Sequence, residues 1–202
     1  VGYGNNAGGV ASSAFGFSNV AKVDYASAFG YSNEASGLAS SAVGFRNKAA
    51  SENASAVGYG NNANALAASA VGYNNTAGGV GSSTIGYNNT ATNENASAFG
   101  YGNTAGGLAS SAFGSSNTAS GDNANAFGYN NIASGSKSNV FGTGNTVSGS
   151  SSTAVGTANE VAAENSTAIG NNNTISSGAE NSAALGNNIS ISLKDSVALG
   201  NN

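Results

Sequence analysis

An apolar residue followed by glycine recurs along this chain every fourteen residues, and this repeat limits the fold more than any other feature. A repeat this regular means that each unit stacks on the previous one in the same orientation. Near the end of the chain one step is sixteen residues, and the spacing then returns to fourteen. The pairs are Val1-Gly2, Phe15-Gly16, Phe29-Gly30, Val43-Gly44, Val57-Gly58, Val71-Gly72, Ile85-Gly86, Phe99-Gly100, Phe113-Gly114, Phe127-Gly128, Phe141-Gly142, Val155-Gly156, Ile169-Gly170, Leu185-Gly186 and Leu199-Gly200.

Two more columns keep the same register. Asn stands three residues after the Gly, from Asn5 to Asn173, and an Ala usually lies two residues before the Gly. The period is too short for a helical hairpin, so it favours a short strand, a turn, a second short strand and a turn. We therefore predict an all-β chain, folded as a parallel β-solenoid of fourteen-residue coils. The repeated Gly and Asn are expected to supply turn conformations with positive φ.

The composition argues against several kinds of chemistry. The 202 residues include 31 Gly and only 7 % charged residues, with no Pro, Cys, Met, Trp or His. Without His and Cys, the commonest general base, the thiol nucleophile and the usual zinc ligands are missing. We therefore predict no catalytic residue, no metal site and no cofactor. The five basic residues are scattered and the net charge is −4, so no nucleic-acid partner is expected.

Neighbouring residues of a strand face opposite sides, so Ala112 and Phe113 point in opposite directions. A fourteen-residue coil encloses little space, which suits the Ala column and places the bulky column outside. A long apolar stripe is rarely left in water, so we assign the bulky column to contacts between subunits. The alternative is that these residues fill the coil. The candidate interface residues are Phe15, Phe29, Val43, Val57, Val71, Ile85, Phe99, Phe113, Phe127 and Phe141.

The phrases NSTAIGNNNT (Asn165 to Thr174) and DSVALGNN (Asp195 to Asn202) resemble the head repeat of YadA-like trimeric autotransporter adhesins. NASAFGYGNTA (Asn95 to Ala105) is a looser version. The resemblance extends over residues 1–202 as a single head domain. It implies a left-handed parallel β-roll, assembled as a parallel homotrimer and displayed on a bacterial outer membrane at the end of a coiled-coil stalk.

The resemblance also implies a function in cell adhesion and virulence. Members of the family bind host cell-surface receptors or extracellular-matrix proteins, and some self-associate. The expected partner is therefore collagen, fibronectin, laminin or an immunoglobulin-like receptor of the CEACAM kind. The chain begins without Met or a signal peptide, and we expect a fragment whose only membrane attachment is a C-terminal anchor that it lacks.

Two departures from the family pattern are visible in the sequence. Ser replaces the family's Val before Ala at Ser27, Ser55, Ser97 and Ser111, which makes the apolar stripe thinner. The sixteen-residue unit, Asn171 to Gly186, is expected to carry its two extra residues in a bulged turn.

The position eight residues after the Gly alternates between apolar and acidic residues in the first part of the chain. It lies in a Gly-rich turn, where loops normally face solvent. An exposed apolar residue at a turn tip would suit a receptor contact. Alternatively, these side chains fold under the turn or touch a neighbouring subunit. The candidate receptor-binding residues at this position are Val10, Leu38, Leu66, Val80 and Leu108.

An aromatic ladder directly follows the Gly, and it includes Tyr31, Tyr59, Tyr73 and Tyr101 as further receptor-binding candidates. We favour packing of this ladder against the edge of the next subunit; exposed, it would offer a strip for a protein or a sugar. Both features end near Tyr129. We therefore expect residues 1–130 to be the binding region and 131–202 to be plainer repeats.

Three classes of function remain open. The leading hypothesis is an adhesin head that binds a host protein through a shallow surface of the trimer. The alternative is an ice-binding or self-associating solenoid, since Thr recurs four residues after the Gly, although with interruptions. An enzyme would need a cluster of acids or bases that the sequence does not have. Asn-X-Ser sequences such as Asn53-Ala54-Ser55 and Asn95-Ala96-Ser97 are expected from the Asn-, Ser- and Ala-rich composition and by themselves indicate little.

Overall fold

The computed structural model describes residues 1–201, so Asn202, the last residue of the predicted domain, lies outside the described residues. Within that range all regular secondary structure is β-strand, with one long and one short strand in each coil. The chain forms two compact units, Val1–Gly102 and Asn103–Asn202.

In the first unit, each strand pairs in parallel with its equivalent in the next coil, so that Ala56 lies opposite Ala70 and Gly58 opposite Gly72. The long-strand series is β1 (Gly2–Tyr3), β3 (Ser13–Phe17), β5 (Ser27–Tyr31), β7 (Ser41–Phe45), β9 (Ser55–Tyr59), β11 (Ser69–Tyr73), β13 (Ser83–Tyr87) and β15 (Ser97–Tyr101). The short strands are β2 (Asn6–Ala7), β4 (Val20–Ala21), β6 (Glu34–Ala35), β8 (Lys48–Ala49), β10 (Asn62–Ala63), β12 (Thr76–Ala77) and β14 (Thr90–Ala91).

The second unit repeats the same arrangement, with Phe113 opposite Phe127 and Gly114 opposite Gly128. Its long strands are β17 (Ser111–Ser115), β19 (Asn125–Tyr129), β21 (Asn139–Thr143), β23 (Thr153–Thr157), β25 (Thr167–Asn171), β27 (Ala183–Asn187) and β29 (Val197–Asn201). Its short strands are β16 (Thr104–Ala105), β18 (Thr118–Ala119), β20 (Ile132–Ala133), β22 (Thr146–Val147), β24 (Glu160–Val161), β26 (Thr174–Ile175) and β28 (Ser190–Ile191). The predicted parallel β-solenoid is confirmed.

The interior of each coil is filled by small side chains. Ala56 and Ala70 of the long strands and Ala63 and Ala77 of the short strands are fully buried. Larger apolar residues are fully buried in the second unit, at Val140, Val147, Val161 and Ile175. The prediction that Ala fills the coil is confirmed, and the alternative that the bulky column fills it is wrong.

The repeated Gly lies inside the long strand, so the prediction that it stands in a turn is wrong, although its φ is positive as expected. Gly58 has φ +121°, and a Cβ added to it would lie 2.1 Å from the carbonyl oxygen of Gly72 in the next coil. Only a residue without a side chain combines this φ with so close an approach between neighbouring backbones. The Gly column is therefore a requirement of stacking.

The repeated Asn is buried, and the prediction that it supplies a positive φ is wrong. The backbone N–H and Nδ2 of Asn61 both donate to Oδ1 of Asn47 at 3.0 Å. Nδ2 also donates to the carbonyl oxygens of Val57 (2.9 Å) and Gly72 (2.6 Å). The same pattern repeats along each unit, and the column ends where Ile189 takes the place of Asn. These amides satisfy backbone groups that the narrow interior would otherwise leave unpaired.

Two other columns provide the positive φ of the turns. They lie two and nine residues after the Gly, for example Asn74 (φ 54°) and Asn53 (φ 56°). Ala39 and Ala67 also adopt this conformation, at φ 53° and 55°. The two extra residues of the sixteen-residue unit lie in the turn between β26 and β27, as predicted, and both strands stay in register with their neighbours.

Candidate binding and assembly surfaces

The outer face of the long strands carries two apolar columns, one on each side of the Gly. The column before the Gly holds the candidate interface residues. Phe15, Phe29, Val43, Val57, Ile85 and Phe141 are exposed, whereas Val71, Phe99, Phe113 and Phe127 are half-buried. The structure therefore brings all ten to the outside of their units.

The column after the Gly forms a stacked aromatic ladder in the first unit. From Tyr3 to Tyr101, successive rings lie 4.8–5.4 Å apart between centroids and within 20° of parallel. The guanidinium of Arg46 lies 5.0 Å from the centroid of Phe45, a cation–π distance. In the second unit, Ser115 interrupts this column before Tyr129. The four Tyr candidates, Tyr31, Tyr59, Tyr73 and Tyr101, all belong to the ladder, and their side chains are exposed.

The apolar turn-tip candidates also point into solvent. Val10, Leu38, Leu66, Val80 and Leu108 are between 43 % and 69 % exposed, so none of them folds under its own turn. Four of the five are followed by Ala and the fifth by Gly, which makes each tip apolar over two residues. The turn tips lie between the short strand of one coil and the long strand of the next.

Two of the acidic residues in this column bind the turn of the preceding coil. Oδ1 of Asp24 accepts a hydrogen bond from the backbone N–H of Val10 at 2.7 Å, and Oδ1 of Asp122 accepts one from the backbone N–H of Leu108 at 3.0 Å. These two aspartates therefore stabilise the turns that present Val10 and Leu108.

Tyr25 and Ile132 are among the exposed apolar residues that the sequence analysis did not predict. Tyr25 is 62 % exposed beside Asp24, in a turn column that otherwise holds small or polar residues around it. Ile132 is exposed at the start of β20, where the neighbouring coils have Thr. Each could have been recognised in the sequence, because its residue type differs from those at the equivalent position of the neighbouring coils.

Among residues 1–201, no group of three acidic side chains is placed to hold a metal ion. None of the described residues forms a helix long and apolar enough to span a membrane.

Comparison with protein families gives one match, repeated along the chain. The model for the YadA head domain repeat (2 copies) matches residues 7–33, 35–61, 49–75, 77–103, 105–131 and 148–173, well over half of the sequence. A comparison with curated proteins gives no match.

Proposed function

The chain belongs to the YadA head family, and on that premise we propose that it is the head of a trimeric adhesin exposed on a bacterial surface. The family is one of adhesins and not of enzymes. In this proposal three chains associate in parallel, and the trimer attaches to host cells or extracellular matrix through a shallow protein-binding surface. The observation that carries the proposal is the apolar outer face, which a single chain leaves in water.

The argument for association rests on how little a single coil can bury. Its interior holds mainly Ala, while the larger apolar side chains lie outside. Burial of apolar area is the main favourable term in folding and association, at roughly 25 cal/mol per Å². A stripe of Phe, Val and Ile along successive coils therefore gains most when copies of the chain cover it. The stacked aromatic ladder beside it would pack at the edge of the same contact.

Sedimentation equilibrium of the purified chain is expected to give three times the chain mass of 19.3 kDa. The double substitution Val57→Asp and Val71→Asp should shift the protein to monomer, because it places buried charge in the contact. The control is Asn64→Asp with Thr92→Asp, which adds the same charge at exposed positions directly after the short strands β10 and β14 and should leave the trimer intact. A folded monomer for the unsubstituted chain would refute the trimer.

For ligand attachment we propose residues 1–130, and within them the apolar turn tips. Two features support this choice: the tips are exposed, and the apolar members of the column end after Leu108. Leu and Val side chains held on rigid turns can enter shallow pockets of a protein partner at small entropic cost.

Replacing Leu38, Leu66 and Leu108 with Ser together is expected to weaken binding at least about tenfold, since each loses buried apolar area in the complex. The ligand for this assay is the one retained in a screen of collagen, fibronectin, laminin and a CEACAM-like receptor. Leu193→Ser removes an equally apolar exposed side chain from the plainer repeats and is the matched control. Unchanged binding by the triple variant would move the site to the aromatic ladder.

A further inference from the structure

Seven asparagines begin an Asn-X-Ser or Asn-X-Thr sequence, the acceptor signature of N-linked glycosylation. The chain contains many more asparagines, so the placement of these seven within the fold can be compared with that of the rest. They are Asn53, Asn74, Asn88, Asn95, Asn165, Asn172 and Asn188.

All seven share one backbone conformation and one kind of site. Their φ angles lie between 51° and 57°, and every one is exposed. Four occupy the turn column two residues after the Gly, and three occupy the column nine residues after it. Glycosylated asparagines need such surface positions because the sugar is bulky and polar.

The other two residues of each sequence also have constant surroundings. The middle residue is buried in every case, as with Ala54 and Asn89. The hydroxyl residue is the first residue of a strand, such as Ser55 of β9 or Thr90 of β14. Because strand residues alternate between faces, and the second residue of these strands is a core Ala or Ile, the hydroxyl lies on the outer side with the asparagine.

The buried Asn column is excluded from the signature by the fold itself. Two residues after each of its members comes an interior position, held by Ala63 after Asn61 and by Val161 after Asn159. A Ser or Thr there would place a hydroxyl in the packed interior. The solenoid therefore separates two sets of asparagines, one that joins coils and one that carries the acceptor signature at the surface.

The amide nitrogens of the exposed set are open to a second molecule. Nδ2 of Asn74 donates one hydrogen bond, to Oδ1 of Asn88 at 3.1 Å, and Nδ2 of Asn172 donates one to Oδ1 of Asn188 at 2.8 Å. Each donor keeps its second N–H. In both pairs the accepting residue uses its oxygen, which turns its own Nδ2 away from the neighbouring amide.

We propose that these seven turn asparagines are acceptor sites for N-linked glycosylation by a separate transferase. The donor class is a sugar activated by a phosphate ester at its anomeric carbon. Nδ2 forms a bond to that carbon, the bond from the carbon to the phosphate oxygen breaks, and the phosphate leaves with the electron pair. The proton lost from Nδ2 goes to a base of the transferase.

The seven asparagines also lie outside the long strands. Asn74 directly follows the long strand that ends at Tyr73, and Asn53 lies two residues before the strand that begins at Ser55. Because the apolar columns of the outer face are on the long strands, none of the seven is a member of those columns. The inference rests on the turns alone and does not depend on the proposed ligand.

Peptide mapping by mass spectrometry of the full protein from the bacterium that produces it tests the proposal. Sugar is expected on members of the set of seven and on none of the buried column. A single hexose would identify a nucleotide-activated donor, and an oligosaccharide would identify a lipid-linked one. A protein without sugar at all seven positions, or with sugar on the buried column, would overturn the proposal.

The chain provides its own matched control. Asn130 is exposed at φ 55° in the same turn column, but Ile132 stands where the signature needs a hydroxyl. Ile132→Thr should therefore raise the fraction of Asn130 that carries sugar from zero to the level found at Asn88. Thr90→Val should abolish the sugar on Asn88, and Thr90→Ser should retain it. Loss of the sugar in both Thr90 variants, or none gained in Ile132→Thr, would contradict recognition of the signature.

Discussion

Gly58→Ala is expected to destabilise its unit by more than about 3 kcal/mol, because two separate costs act at one position. The φ of +121° lies outside the regions that side chains tolerate, and the new Cβ would stand 2.1 Å from the carbonyl oxygen of Gly72. It would also lie 3.0 Å from Nδ2 of Asn61, which donates to that same carbonyl. The pairing of β9 with β11 must open to admit the methyl group. Urea unfolding followed by circular dichroism measures the loss.

The control for this substitution lies two residues away in the same coil. Gly60 has φ +64°, and its nearest neighbour to an added Cβ is Oδ1 of Asn74 at 3.9 Å. Ala158 occupies the equivalent position in the second unit at φ 55°. Gly60→Ala should therefore cost no more than about 1–2 kcal/mol, the cost of a left-handed alanine. Equal losses in the two variants would show that close approach of the coils is not the cause.

Asn61→Ala is expected to cost at least about 3 kcal/mol, because it leaves several buried groups without partners. Oδ1 of Asn47 loses the hydrogen bond from Nδ2 of Asn61 and keeps the one from the backbone N–H of residue 61. The backbone N–H and Nδ2 of Asn75 lose their shared acceptor. Each unsatisfied buried group costs about 1–3 kcal/mol.

Asn62→Thr is the matched control for the Asn61 variant. Asn62 is the next residue, its Oδ1 is buried without a hydrogen-bond partner, and Thr76 occupies the equivalent position one coil later. Its replacement should leave the free energy of unfolding within about 0.5 kcal/mol of the original value or raise it. An Asn61→Ala protein as stable as Asn62→Thr would mean that the buried column contributes little to stacking.

The sequence alone predicts the coil because identical residues in a parallel stack must recur at the coil length. It also predicts the Ala interior, since fourteen residues enclose too little space for Phe. The prediction that the Asn column stands in turns is wrong because a repeated polar residue is compatible both with a turn position and with an interior position. The difference is visible in how variable the columns are: the turn position accepts Gly, Ser, Asn, Arg or Ala, whereas the interior position keeps Asn up to Asn173.

The sequence also predicts which side chains lie on the outer face of the long strands, but not what covers them. Alternation along the strand places Phe29 and Tyr31 outside, and the structure agrees. The partner that covers them is not encoded in the alternation, because apolar burial is not directional and any complementary apolar surface satisfies it. The hydrogen bond from the backbone N–H of Val10 to Asp24 could not be predicted from the sequence either, because it depends on the distance between two turns of successive coils.

The sixteen-residue coil carries a further consequence for how such a chain can change over time. Its two extra residues fall in a turn, and the strands on either side keep the pairing of the other coils. Each coil touches only its neighbours, so a duplication or deletion of fourteen codons within a unit creates no new kind of contact. The gene can therefore lengthen or shorten the protein by recombination between its own repeats, while any insertion that falls within a strand would be removed by selection.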